Sequence, residues 1–66
     1  MAVYMVTRYY VIEEETEPDA SGIPRVVNEK YHFDDYDEDK CKAWMEQHVG
    51  EYNPFNTYIK PVWEEW

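Results

Sequence analysis

Residues Val3 to Glu13, VYMVTRYYVIE, decide how this 66-residue chain is expected to fold. The stretch is rich in β-branched and aromatic residues and contains neither Gly nor Pro, which predicts a β-strand. Such a strand would be apolar on both faces. One face carries Val3, Met5, Tyr9 and Val11, and the other carries Tyr4, Val6, Tyr10 and Ile12. Because a strand with two apolar faces is covered on both sides, we expect it at the centre of a sheet.

A loop and a second strand are expected next. Thr16 to Pro24 contains Pro, Asp, Ser and Gly, which favour turns, and it is too long for a two-residue hairpin turn. Arg25 to Phe33 follows with weaker alternation, so we interpret it as a half-exposed strand at a sheet edge. Its two faces are Val27, Tyr31 and Phe33 against Asn28, Lys30 and His32.

The following segment has the period of a helix. Four residues stand at i, i+3, i+4 and i+7, which predicts a helix from about Asp37 to Val49 that ends near Gly50. These residues are Cys41, Trp44, Met45 and His48.

A third strand is predicted from Tyr52 to Trp63, after the turn-forming pair Asn53-Pro54. Pro61 cannot donate a hydrogen bond to a neighbouring strand, so we expect this strand at an edge as well. Its faces are Phe55, Thr57, Ile59 and Trp63 on one side and Tyr58 and Val62 on the other.

Together these elements predict a single α+β domain over residues 1–66 with the order β-β-α-β. We expect a three-stranded antiparallel sheet in the spatial order 2-1-3, with the helix on one face. The opposite face is then bare, and it presents tyrosines to solvent, to a second copy of the chain or to a target.

The charge balance narrows the choice of partners. Fifteen Asp and Glu residues against six Lys and Arg residues give a formal net charge of −9. Direct binding to nucleic acid or to an anionic membrane is not expected, since both need a cationic surface. The hydrophobic share of 44% and aromatic share of 18% argue against a disordered acidic tail. We therefore expect a folded protein that binds a basic partner.

The cellular compartment is predicted from the cysteine count and from the first residues. The single cysteine, Cys41, excludes an intramolecular disulfide, which fits a reducing cytoplasm, while a disulfide-linked dimer stays open. The first residues, MAVYMVTRYY, lack a basic region followed by a long apolar run. Neither a signal peptide nor a membrane span is therefore expected.

Two acidic clusters are the most unusual feature of the sequence. One surrounds Tyr36 and consists of Asp34, Asp35, Asp37, Glu38 and Asp39; the other consists of Glu13, Glu14, Glu15, Glu17 and Asp19. In the first cluster, Asp34 or Asp35 is expected to cap the helix and the next three carboxylates to complement its dipole. Capping leaves the other carboxylates unexplained, and they either face solvent or contact a partner.

Metal binding and catalysis are poorly supported. Asp35, Asp37, Asp39 and Glu46 match four positions of a calcium-binding loop, but Lys40 stands where that loop requires glycine. Cys41, His32 and His48 are not paired at zinc-ligand spacing. Cys41 and His48 lie about 10 Å apart along the helix, too far for a nucleophile and its base. No cofactor and no enzymatic activity are expected.

Recognition of a DNA-handling protein fits the pattern better. Carboxylates about 6 to 7 Å apart along a strand present charge much as phosphates do, so a protein that grips DNA through Lys and Arg is attracted to them. Tight binding also needs an apolar anchor. Tyr36 and Trp44 are candidates, although core packing against the sheet also explains Trp44.

The stretch KYHFDDYDEDKCKAW, in which Tyr31 and His32 precede an acidic helix start, resembles the small phage proteins that inhibit uracil-DNA glycosylase by imitating DNA. The resemblance covers element order, charge and size, and it carries over no binding residue. It implies a cytoplasmic inhibitor in a bacterial host, with carboxylates facing the DNA-binding groove of the glycosylase. It also implies an apolar pocket beside the helix that takes up a side chain of the enzyme. The chain is similar as well to a phage inhibitor of bacterial RNA polymerase and to some anti-CRISPR proteins.

We therefore expect a DNA mimic that blocks a basic DNA-binding protein, with uracil-DNA glycosylase as the first target. The predicted contact residues are Glu13, Glu14, Glu15, Asp34, Asp35, Tyr36, Asp37, Glu38, Asp39 and Trp44. A homodimeric structural or interaction module, whose acidity only keeps it soluble, is the alternative.

Overall fold

A computed structural model describes residues 4 to 65 of the chain, so the predicted strand residue Val3 lies outside the described part. The elements in chain order are β1 (Met5–Pro18), β2 (Pro24–Asp35), α1 (Glu38–Gln47) and β3 (Thr57–Glu65). The three strands form one antiparallel sheet in the order β2-β1-β3. The predicted α+β class, the element order and the central position of the first strand are confirmed.

The first hairpin is longer than the sequence indicated. β1 continues past Glu13 to Pro18, and Pro18 pairs with Pro24 at the start of β2. The predicted loop from Thr16 to Pro24 is therefore wrong at both ends, because backbone pairing between strands does not require apolar side chains. The actual turn spans residues 19–23, too many for a two-residue turn, as expected.

The Asp19 side chain holds this turn. Its Oδ1 accepts hydrogen bonds from the backbone N–H groups of Ser21 at 2.8 Å and Ile23 at 2.9 Å. Gly22 has a φ of +81°, a conformation that residues with a Cβ rarely adopt. The backbone hydrogen bonds hold the pKa of Asp19 below its ordinary value. One carboxylate of the second acidic cluster is thus part of the turn.

A β-bulge in β2 changes which side chains share a face. Val11 pairs with Phe33, but the next residue of β1, Ile12, pairs with Tyr31. His32 is therefore an extra residue opposite β1. An extra residue interrupts the period of two and moves the following side chains to the other face.

The faces predicted for β2 are corrected by this bulge. The sequence placed Tyr31 with Phe33 and His32 opposite them. Instead, the rings of Phe33 and His32 both lie against Trp44 of the helix. The Tyr31 ring meets Tyr10 edge to face on the other side of the sheet. We call the side that carries Val11, Phe33 and the helix the helix face, and the other side, with Tyr10 and Tyr31, the open face.

Helix α1 begins one residue later and ends two residues earlier than predicted. Asp37 is its N-cap, with a side chain that accepts from the N–H of Asp39 at 2.9 Å. The prediction that Asp34 or Asp35 caps the helix is therefore wrong. The last helical residue is Gln47, and Gly50 lies in the following turn with a φ of +98°.

Strand β3 begins at Thr57, five residues later than predicted, because residues 52–56 form a turn against the helix. The Tyr52 hydroxyl donates to the Met45 carbonyl at 2.8 Å. Phe55 is 95% exposed in this turn, so its predicted place on a strand face is wrong. Pro61 lies in an edge strand, as expected.

The core is small. Val11 and Cys41 are fully buried between β1 and the helix, and Ile12, on the open face of β1, is nearly buried. The Cys41 thiol donates to the carbonyl of Tyr9 at 3.4 Å, and burial raises its pKa. Cys41 is thus a core residue, and a disulfide between two copies would require this core to open.

The molecule is flat, with principal dimensions of 51 × 31 × 12 Å. β3 pairs only with Met5 to Glu13 of β1. Residues 14–29 therefore form a two-stranded ribbon, which we call the arm. Within residues 4 to 65, no helix is both long and apolar enough to cross a membrane.

Candidate partner-binding surfaces

Glu13, at the base of the arm, is turned inward. Its carboxylate lies 2.8 Å from His32 Nε2 and accepts from the backbone N–H of Asn53 at 3.3 Å. The hydrogen bond with His32 is the main reason that the pKa of Glu13 lies below its ordinary value. Both side chains are mostly buried. Glu13 therefore joins β1, β2 and the turn before β3, and it offers little charge to a partner.

Of the glutamates that follow in β1, Glu15 and Glu17 are exposed and Glu14 is half-buried. Glu15 and Glu17 lie on the same face of β1, about 6.7 Å apart along the strand. Glu15 has only a long hydrogen bond, 3.4 Å, from Asn28. Glu14 lies on the opposite face and stands across from Glu29, whose carboxylate lies 3.8 Å from Lys60 Nζ of β3. The arm is consequently acidic on both of its faces.

Asp34 is engaged on the open face. Its carboxylate forms an ion pair with Arg8 and accepts a hydrogen bond from the Tyr31 hydroxyl. The hydrogen bond from Tyr31, and after it the hydrogen bond from Arg8, hold the pKa of Asp34 below its ordinary value. The hydrogen bond between Tyr31 and Asp34 also raises the pKa of Tyr31. Asp34 is therefore committed to a contact within the chain.

Arg8 extends this cluster across the sheet to β3. Its guanidinium lies 3.7 Å from Glu64 and stacks over the rings of Tyr10 and Tyr36, at 5.5 and 5.2 Å from their centroids. The Tyr36 hydroxyl donates to Glu64 at 3.0 Å, which raises the pKa of Tyr36. The cluster ties the segment between β2 and α1 to both neighbouring strands. It also places Tyr36, predicted as an anchor, in contact with the open face.

The carboxylates at the helix start mainly accept hydrogen bonds from backbone N–H groups where β2 ends and α1 begins. Asp35 accepts from the N–H of Asp37 at 2.8 Å, and Asp37 caps the helix. Glu38 pairs with Lys42 at 3.1 Å, one helical turn later. Asp39 is exposed. Most of this cluster is thus explained by local structure.

Trp44 lies in an aromatic cluster between the helix and the sheet. Its ring stacks on His48 with centroids 4.4 Å apart, and it also contacts His32, Phe33 and Tyr52. These contacts support the core-packing interpretation of Trp44 that the sequence left open beside the anchor.

Of the two tryptophans within residues 4 to 65, Trp63 is the exposed one, and it is not among the contact residues predicted from the sequence. It is 75% exposed in β3, and Met5 on the neighbouring strand is 56% exposed. The alternation of β3 placed Trp63 on the same face as Thr57 and Ile59, and this face is the helix face. The helix, however, packs mainly over β1 and β2, so the strand pattern alone could not reveal that Trp63 is uncovered.

The two acidic clusters do not form one continuous strip. On the open face Asp34 pairs with Tyr10, whereas Glu14, the nearest carboxylate of the other cluster, lies four residues further along β1, a distance of about 14 Å. Between them on this face lie Ile12 and Tyr31, which carry no negative charge. The anionic surface is therefore divided between the arm and the helix start.

Within residues 4 to 65, no group of three or more His, Cys, Asp or Glu side chains is placed to hold a metal ion. The same residues enclose no pocket, so this conformation lacks the apolar cavity beside the helix that the resemblance implies.

No protein-family profile, curated protein or solved structure matches the chain.

Proposed function

We propose that this protein is a small acidic binding protein that occupies the cationic surface of a DNA-handling protein in place of DNA. The observation that carries the proposal is the arm, a projecting ribbon whose Glu14, Glu15 and Glu17 are not used to hold the fold. A net charge of −9 adds long-range attraction toward any cationic groove. The inward-facing Glu13 and the bound Asp34 are structural supports rather than contacts.

The shape of the arm suits a groove. The alternate carboxylates Glu15 and Glu17 are about 6.7 Å apart along an extended strand, comparable to the separation of neighbouring phosphates on one DNA strand. A two-stranded ribbon is also only marginally stable by itself in water. Contact with a cationic groove would both neutralise its carboxylates and order it.

Uracil-DNA glycosylase is the target we propose first, because the resemblance in element order, charge and size points to inhibitors of that enzyme. Purified protein is expected to lower uracil excision by a bacterial glycosylase at a near-equimolar ratio. Unchanged excision at large excess would remove this target, and the RNA polymerase and anti-CRISPR alternatives would then be assayed in the same way.

The role of the arm is tested with a matched pair of charge reversals. The double variant E15K/E17K changes the arm, and E46K/E51K makes the same change in net charge around the end of the helix. If the arm binds the target, only E15K/E17K should abolish inhibition. If both variants inhibit equally well, the arm is not the contact and the proposal loses its basis.

A homodimeric interaction module is the second candidate, and one observation favours it. Val26 and Val27 are each more than half exposed on the arm, where a second copy could cover them. Sedimentation over a range of concentrations distinguishes the candidates. A dimer that dissociates in the variant V26S/V27S and inhibits no DNA-binding protein would favour the module.

A further inference from the structure

The helix face of the sheet is only partly covered by the helix. Trp63 pairs with Thr7, and Met5 pairs with Glu65, so these residues continue the helix face beyond the helix at one end of the sheet. We call the surface formed by Met5, Pro61, Trp63 and Glu65 the shelf. Each of these four residues is exposed, and Trp63 exposes three quarters of its surface.

The exposure of Trp63 makes it a candidate contact residue for a partner. Tryptophan is the residue type most enriched among those that dominate binding energy at protein interfaces. In this chain Trp44 is held in the aromatic cluster by neighbours from β2 and α1, whereas no ring contact to Trp63 is found within residues 4 to 65. Phe55, which is 95% exposed, lies in the turn before β3 and serves as a reference.

The charge beside Trp63 indicates the chemistry of that partner. Glu65 is two residues away on the same face of β3, about 6.7 Å along the strand. Asp35 lies across β1 from Pro61, since both pair with Tyr9, at about 10 Å. An indole face with a carboxylate beside it favours the binding of a planar guanidinium, which can stack on the ring and pair with the carboxylate at the same time.

We propose that the shelf is a binding site for an arginine side chain of a partner protein, with Trp63 stacking on the guanidinium and Glu65 pairing with it. The inference rests on the proposed function, since it assumes a cationic partner, and it adds the apolar anchor that the carboxylates of the arm do not supply. It places that anchor on Trp63 rather than on Trp44 or Tyr36.

The test uses the full chain and a ten-residue peptide of alternating arginine and glycine, with a citrulline version of the same peptide as the neutral control. Binding is measured at low ionic strength by following the indole N–H resonances, and the resonance that is absent in W63F identifies Trp63. The arginine peptide should shift this resonance, and the citrulline peptide should not.

Variants decide whether Trp63 itself binds the peptide. W63A and E65Q should each weaken the affinity by about two- to fivefold, the range of an exposed cation–π or ion-pair contact. F55A removes an exposed ring elsewhere and should leave the affinity unchanged. The far-ultraviolet spectrum and melting temperature of W63A should match those of the wild type, because the side chain is exposed.

Three outcomes would overturn the inference. Equal binding of the arginine peptide by the wild type and W63A would show that the shelf is not an arginine site, and it would leave the proposed function intact. No binding of the arginine peptide to the wild type would contradict a cation site of any kind. A wild-type dimer that becomes a monomer in W63A would show that a second copy, and not an arginine, covers Trp63.

Discussion

The rings of Trp44 and Phe33 stack with 5.8 Å between their centroids and 8° between their planes. This contact joins the helix to β2 across the bulge at His32. Because the fully buried residues are few, the aromatic cluster contributes a large part of the packing between the helix and the sheet.

Replacing Trp44 by alanine should therefore destabilise the protein strongly. We expect the free energy of unfolding to fall by about 3 kcal/mol, the lower end of the range for a buried tryptophan, because Trp44 is only half buried. In so small a domain this loss should leave much of the chain unfolded at room temperature. Urea unfolding followed by circular dichroism measures the change.

The matched control for Trp44 is Trp63. W63A should change the free energy of unfolding by no more than about 0.5 kcal/mol, as expected for an exposed side chain. Equal destabilisation by W44A and W63A would contradict the division of roles between a core tryptophan and a surface tryptophan.

Substitution of Asp37, the helix cap, should destabilise the protein. D37A removes the acceptor for the N–H of Asp39 and should cost about 1 kcal/mol, while D37N retains a capping side chain and should cost less. The loss in D37A corresponds to a decrease of about 4 to 8 °C in melting temperature for a domain of this size. If D34A and D37A gave the same loss with D37N no better than D37A, capping would not explain the role of Asp37.

Neighbouring glutamates should differ sharply in their effect on stability. E13Q removes the negative charge that lies against His32 and should lower the melting temperature. E15Q changes an exposed arm residue and should leave the melting temperature nearly unchanged. Thermal unfolding of both variants at neutral pH is the measurement, and an equal response would mean that Glu13 is not a structural support.

The ion pair of Asp34 should make stability depend on acid pH. Because the pKa of Asp34 is below its ordinary value of 3.8 in the folded chain, its stabilisation is complete above that pH and is lost as the pH falls through the folded pKa. D34N should be less stable than the wild type at pH 7, and the gap should close below pH 3.8. Melting temperatures of both proteins across this range give the test, and a gap that stays constant with pH would exclude the ion pair as its source.

The fold could be predicted from the sequence because its main signals are local. The two apolar faces of β1 indicated the central strand, and the spacing from Cys41 to His48 indicated the helix. The bulge at His32 could not be predicted, since a one-residue shift of register depends on how His32 packs against Trp44. The length of the arm was not predicted because backbone pairing continues through charged residues whose sequence is typical of a loop.

The candidate site was harder to predict than the fold. Glu13, Glu14 and Glu15 are identical in chemistry and consecutive in sequence, yet Glu13 is internal and the other two face solvent or an arm residue. The distinction comes from Asn53 and His32, which are distant in sequence. Trp63 was missed for the same reason, because its exposure depends on where the helix lies across the sheet.

The central claim is that the surplus negative charge of the arm takes the place of DNA on a partner. Its most direct test is capture of bacterial proteins on the immobilised chain, with elution by duplex DNA and by stepped salt before identification by mass spectrometry. We predict that DNA releases the captured proteins, that these are mainly DNA-handling proteins, and that E15K/E17K captures few of them. Captured proteins that resist DNA, or an unchanged set on E15K/E17K, would contradict the claim.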